Sequence, residues 1–129
     1  MNSTAPLTTA LAIGLGGALG SVLRWLTTLA LAPLGWPIAA GTLAVNLVGG
    51  LLIGASIVWF GRHPNELLRL GLVTGLLGGL TTFSAFSAES LTLLVKGQWM
   101  LALVHSLVHV LGALAAAAAG WALARWLLG

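Results

Sequence analysis

At 129 residues, with 59% hydrophobic and only 5% charged, the chain has too few charges to cover a soluble surface, which takes about 25%. A mean hydropathy of +1.08 makes it an integral membrane protein, one domain over residues 1–129 with room for four spans of roughly 20 residues. Five basic and two acidic residues give a net charge of +3 through scarcity of acids rather than a basic patch, so nucleic acid is not an expected partner, and with no cysteine there is no disulfide or thiol chemistry.

The N-terminal MNSTAPL carries no Lys or Arg. The apolar run behind it is longer than the 7 to 15 residues of a signal-peptide core, so it reads as a first permanent span, from about Leu7 to Ala32. PLGWP follows as a turn, with Pro37 suited to a first helical position. The second span covers about Ile38 to Phe60, and GRHPNE (61–66) is the one strongly polar loop. The third span runs from about Leu67 to Val95, KGQW turns the chain, and the fourth runs from about Met100 to Leu128. Every proline lies at or outside a span edge, as continuous helices require. Trp36, Trp59, Trp99 and Trp126 lie near span ends, where an interfacial belt belongs.

Each span carries small residues four apart: Gly16 and Gly20; Gly50 and Gly54; Gly71, Gly75 and Gly79; Gly112, Ala116 and Gly120. Small residues let helix backbones approach in lipid, where no hydrophobic force drives helices together. Four such faces on four short helices predict an oligomer. With the N-terminus in the cytoplasm, Arg62, Arg69 and Arg125 flank the inner side, and Arg24 and Lys96 the outer. Three against two is a weak bias under the positive-inside rule. The chain is therefore expected to insert both ways, and two opposed copies to pair about an axis in the membrane plane.

Few polar residues fall at membrane depth. Asn46 shares a face with Gly50 and Gly54. An unbonded amide is costly in hydrocarbon, so Asn46 either bonds to a neighbouring helix or presents a donor to a pathway. Arg24 continues the Gly16–Gly20 face; pairing with a carboxylate, snorkelling, and lending positive potential to a vestibule all remain open. Glu89 is the acid inside a span, as a structural acceptor or part of a polar conduit. His105 and His109 are four apart, a spacing that suits two metal ligands, but no third His, Cys or carboxylate follows nearby. Hydrogen-bonded histidines are the expectation there. No serine–histidine–acid set, phosphate loop or paired carboxylates occur, so there are no candidate catalytic residues and no enzyme is expected.

The stretch GLLGGLTTFSAFS (75–87) stands apart. Gly75, Gly78 and Gly79 each cost about 1 kcal/mol relative to Ala in a helix, which predicts a broken third helix. A break at membrane depth is tolerated only inside protein or beside water, and it frees carbonyls for cations and N–H groups for anions. If the helix resumes, Thr81, Ser84 and Ser87 make one stripe and Phe83 and Phe86 another. Ring edges are positive, so with hydroxyls and an amide they coordinate a small anion without a fixed charge to trap it.

GTLAVNLVGG (41–50) and GLLGGLTTFSAFSAE (75–89) resemble the two signature segments of the CrcB/Fluc family of fluoride channels, and GGALGSVLRW (16–25) fits the same pattern. The resemblance covers all four spans. It implies an all-α, dual-topology antiparallel homodimer with two pores, a passive exit for fluoride from microbial cytoplasm across the bacterial inner membrane, set among lipid. By the matching motifs, Asn46 is a pore-facing donor, Phe83 and Phe86 supply ring edges, and Ser84 and Ser87 are nearby hydroxyls. A structural sodium ion at the dimer axis is implied on backbone carbonyls of Gly78 and Thr81 from both subunits. Two departures stand out. The family's usual TTFSTF has a hydroxyl where this chain has Ala85, and the hydroxyl track of relatives' fourth span meets Ala113 and Ala117 here, with Ser106 and His109 as its remnants.

Two other classes compete. A small four-span proton-coupled multidrug exporter needs a titratable carboxylate in its chamber, yet the first two spans have no Asp or Glu. A non-transporting packing subunit leaves Asn46 and the third span unexplained.

Overall fold

A computed structural model describes residues 4–129; the charge-poor residues 1–3 lie outside the described residues. Among the described residues, four helical segments are long and apolar enough to cross a membrane: Ala5–Leu34, Ala40–Arg62, Glu66–Val95 and Trp99–Leu128. The molecule is an all-helical, multi-pass membrane protein. Helix α1 covers Thr4–Leu31 and runs into a short 3₁₀ turn, Ala32–Leu34, closed by Gly35 at φ 60°. Glycine reaches that left-handed conformation without a Cβ clash. Helix α2 covers Ala40–Arg62.

The third span is composite. Helix α3 takes residues 66–80: an α-helical start at Glu66–Arg69, a wider π-helical stretch at Leu70–Leu77, and a last turn at Gly78–Leu80. Its start is capped by Asn65, whose side chain accepts from the Leu68 N–H. Thr81 (φ −81°, ψ 158°) and Thr82 (φ −152°, ψ 119°) are extended. Helix α4, Phe83–Val95, then begins with the Thr82 hydroxyl accepting from the Ala85 N–H. Gly97, at φ 73°, turns the chain into α5, Trp99–Leu128.

Gly75, Gly78 and Gly79 are themselves helical. Two of them serve close approach instead. A Cβ on Gly75 would lie 2.7 Å from the Ile13 carbonyl oxygen, and one on Gly79 would lie 3.0 Å from Gly17 Cα. From the other side, a Cβ on Gly20 would lie 2.7 Å from the Leu80 nitrogen. Small residues thus join α1 to α3 backbone to backbone. In the same way Gly50 meets Ala113, Gly54 meets Ala117, and Gly120 meets Leu51, joining α2 to α5. Residue numbers rise together along both seams, so each pairs parallel helices. The small-residue faces are therefore used within one chain, and the oligomer expected from them needs other support.

A small buried cluster of Val45, Leu77 and Leu80, with Ile53 against it, sits where α2 passes the end of α3. Most other large apolar side chains point outward, as a lipid-facing surface requires. Arg62 ties the ends of α2 and α5 by donating to the Leu128 carbonyl at 2.6 Å and the Gly129 carbonyl at 3.1 Å.

Candidate functional site

The extended pair Thr81–Thr82 is held by side chains from two other helices. Asn46, on α2, accepts from the Thr82 N–H at 2.8 Å and donates its amide to the Thr82 carbonyl at 3.0 Å. The Asn46 side chain therefore replaces the helical partners that Thr82 gives up. Arg24, on α1, donates to the Thr81 carbonyl at 3.1 Å. The guanidinium thus meets a backbone acceptor at membrane depth, while the Thr81 hydroxyl turns back to the Leu77 carbonyl. A buried backbone group without a partner costs about 1–3 kcal/mol, so these contacts are what make the excursion tolerable in lipid.

Beside the clasp lies an open groove of roughly 430 Å³ whose lining includes Asn46, Gly78, Thr81, Thr82, Phe83, Phe86 and His109. No Lys, Arg, Asp or Glu lines it. Phe83 is 77% exposed, and its ring lies 5.4 Å from that of Phe86 at 53°. Phe86 in turn stacks on His105 (5.4 Å, 15°) and meets His109 at 4.9 Å. The Ser84 hydroxyl reaches Thr82 Oγ1 at 3.2 Å, and the Ser87 hydroxyl donates to the Phe83 carbonyl at 2.8 Å. Because α4 starts only at Phe83, Thr81 belongs to the turn before it and not to a helical stripe with Ser84 and Ser87.

A second polar assembly adjoins the first. The Thr42 hydroxyl donates to Glu89 Oε1 at 2.5 Å, and Glu89 Oε2 lies 3.2 Å from His105 Nε2. His105 Nδ1 contacts the Ser90 hydroxyl at 2.9 Å, and Ser90 reaches Ser106 at 3.4 Å. His109 Nδ1 lies 3.3 Å from Asn46 Nδ2. Both amide protons of Asn46 are then engaged, one by the Thr82 carbonyl and one by His109. The carboxylate missing from the neighbourhood of the histidines in sequence is thus supplied in space by Glu89, so the ground for setting a metal aside there fails.

Sequence reasoning passed over Thr42 and Thr82, and gave His105 no partner. Counting outward from the Gly97 turn would have found one, since Glu89 and His105 are each eight residues from it and so face each other across the α4–α5 hairpin. Thr42→Val is expected to lower the thermal midpoint in detergent by the equivalent of about 1 kcal/mol, because it leaves a part-buried carboxylate oxygen short of its donor. An unchanged midpoint would show that the Thr42–Glu89 contact contributes nothing.

The chain matches the sequence model of the family described as CrcB-like protein, Camphor Resistance (CrcB), over residues 11–121. A protein of Aromatoleum aromaticum named fluoride-specific ion channel FluC is 50% identical over 124 residues, covering 95% of each chain. Proteins of the same name from Nitrosospira multiformis and Erwinia tasmaniensis are 48% and 46% identical, covering 90% and 86% of this chain and 92% and 90% of theirs.

Proposed function

From the premise that this chain belongs to the CrcB family, we propose that it is a fluoride channel of the bacterial inner membrane, a passive pathway that lets fluoride leave the cytoplasm. The observation that carries this reading is the groove beside Thr82, whose lining brings Phe83 and Phe86 together with Asn46 and contains no Lys or Arg. An anion meeting a buried Lys or Arg would bind tightly, and conduction needs binding weak enough to leave. Positive ring edges and neutral donors give attraction of that moderate kind. Phe83 and Phe86 offer the edges, while Ser84 and Ser87 stand close by. Asn46 becomes a donor to the ion by exchanging its long 3.3 Å contact with His109 for the anion, keeping its grip on Thr82.

The unit is an antiparallel homodimer. The weak Lys and Arg bias between the two sides permits the opposite insertion this needs. A structural sodium ion at the dimer axis suits the carbonyls here. Asn46 takes the Thr82 N–H that an unbroken helix would give to the Gly78 carbonyl, which leaves that oxygen outside the helical ladder. The Thr81 carbonyl accepts from Arg24 on one lone pair and has a second for an ion. Oxygen donors of this kind match a hard cation, and two from each subunit complete the set. Proton-coupled export is not favoured, since Glu89 is engaged by Thr42 and His105.

The test is efflux from proteoliposomes, followed with fluoride and chloride electrodes after a potassium ionophore is added. Rapid fluoride release with little chloride release is expected. Phe83→Ile, which keeps bulk and removes the ring edge, is expected to slow fluoride at least tenfold. Protein shown to be folded and dimeric that releases no fluoride would refute the reading.

A further inference from the structure

We propose that Glu89, His105 and His109 form a binding site for a divalent transition-metal ion of the zinc class. One ring nitrogen from each histidine and one carboxylate oxygen lie within 4.8 Å of one another. Two imidazoles and a carboxylate, with a fourth position open, are a donor set that borderline metals favour. Zinc–nitrogen and zinc–oxygen bonds of about 2.0–2.2 Å need these atoms to close in somewhat, a movement within reach of side-chain rotation.

The outer contacts are already arranged for it. Thr42 holds Glu89 by Oε1, leaving Oε2 turned to His105. Ser90 sits on His105 Nδ1, so the other ring nitrogen is directed at Glu89. Second-sphere hydrogen bonds of this sort fix the tautomer of a ligating histidine. The independent sign of a missing ligand is His109. Its side chain is 4% exposed, and among the described residues its Nε2 has no hydrogen-bond partner. Buried polar nitrogens are rarely left so. Access is open, because a cavity lined by Pro37, Ala88, Glu89, Thr92 and His105 leads to the cluster from the α1–α2 connection.

Binding through Nε2 requires His109 to carry its proton on Nδ1, where Asn46 Nδ2 now donates. Two donors then face each other, and Asn46 is pushed away from His109. A dication also arrives beside Phe86, which packs on both histidines. A fixed charge there holds an anion too strongly for it to leave, so the loaded site arrests flux. Metal binding itself does not depend on the transport reading; this consequence does.

The probe is cobalt(II), titrated into tag-free, chelator-treated protein in detergent and read by its visible absorption, which is intense for a tetrahedral nitrogen–oxygen site. One cobalt per chain is expected, displaced by zinc, with affinity weakened about 100-fold in His109→Gln and in Glu89→Gln, and unchanged in His63→Gln. Zinc is also expected to raise the melting temperature of the wild-type protein, since a ligand of the folded state must. No cobalt spectrum, no zinc-dependent shift, or equal affinity in His109→Gln would overturn the site. In proteoliposomes zinc is expected to slow fluoride efflux at least tenfold, reversibly with EDTA. Efflux unaffected by zinc at saturating occupancy would overturn the coupling, whereas absent efflux from metal-free protein with an intact cobalt spectrum would refute the channel reading alone.

Discussion

Gly54→Ala and Gly120→Ala together are expected to prevent the chain from folding into a stable four-helix unit. Each new methyl would sit on a backbone carbonyl of the facing helix: a Cβ on Gly54 lies 2.8 Å from the Ala117 carbonyl carbon, and one on Gly120 lies 2.8 Å from that of Leu51. Ordinary carbon–carbon contact begins near 3.5 Å, and a helical backbone cannot swing aside as a flexible side chain would. Overpacking costs about 1–3 kcal/mol per site, at the upper end where no side chain can give way. The two clashes fall on one seam, so both push α2 from α5 in the same direction. The cost then reaches the Asn46–His109 contact, which bridges those two helices. Gly14→Ala is the control, because nothing from a neighbouring helix lies within 4 Å of a Cβ built there. Thermal unfolding in detergent, with monodispersity on size exclusion, checks all three. A double variant as stable as the parent would show that α2 and α5 do not pack at this distance.

The same glycines mark what could be read from the sequence. Hydropathy gave the four spans and most of their ends, because satisfying the backbone in lipid leaves little choice but a helix. The spacing of small residues also located the seams. It could not say which face meets which, and so it did not reveal that α1 is matched to α3 and α2 to α5 inside one chain. Gly75, Gly78 and Gly79 are helical, and Gly75 and Gly79 serve close approach to α1, a packing role that propensities from peptides in water do not report. The residues that are extended, Thr81 and Thr82, have no strong local signal, and their partners Arg24 and Asn46 lie 57 and 36 residues away in sequence. Propensity is local, whereas this feature is tertiary. His105 is the same case: its helix shows a histidine pair, but Glu89 reaches it from across a turn.

Asn46→Asp is expected to leave a folded protein whose fluoride efflux at neutral pH falls about a hundredfold. The variant keeps the oxygen that accepts the Thr82 N–H, but it sets a second oxygen against the Thr82 carbonyl, where the amide donated at 3.0 Å. It also places a negative charge on the wall of the groove. At an effective dielectric of about 20, a charge about 5 Å from a passing anion raises its energy by about 3 kcal/mol, a factor of roughly 200 in rate. Protonation reverses both faults, because the neutral acid donates to the Thr82 carbonyl and carries no charge. Efflux through the variant should therefore recover as the pH falls through the carboxyl pKa, a rise that must be normalised to the parent at each pH because HF also crosses the bilayer. Asn46→Leu separates structure from charge. It leaves the Thr82 N–H and carbonyl unpartnered at about 1–3 kcal/mol each, so its loss of flux should come with a lower melting temperature and no recovery in acid. Equal loss in both variants with no pH dependence would mean that Asn46 acts only as the clasp on Thr82. Recovery in Asn46→Asp alone would place its side chain within electrostatic reach of the ion.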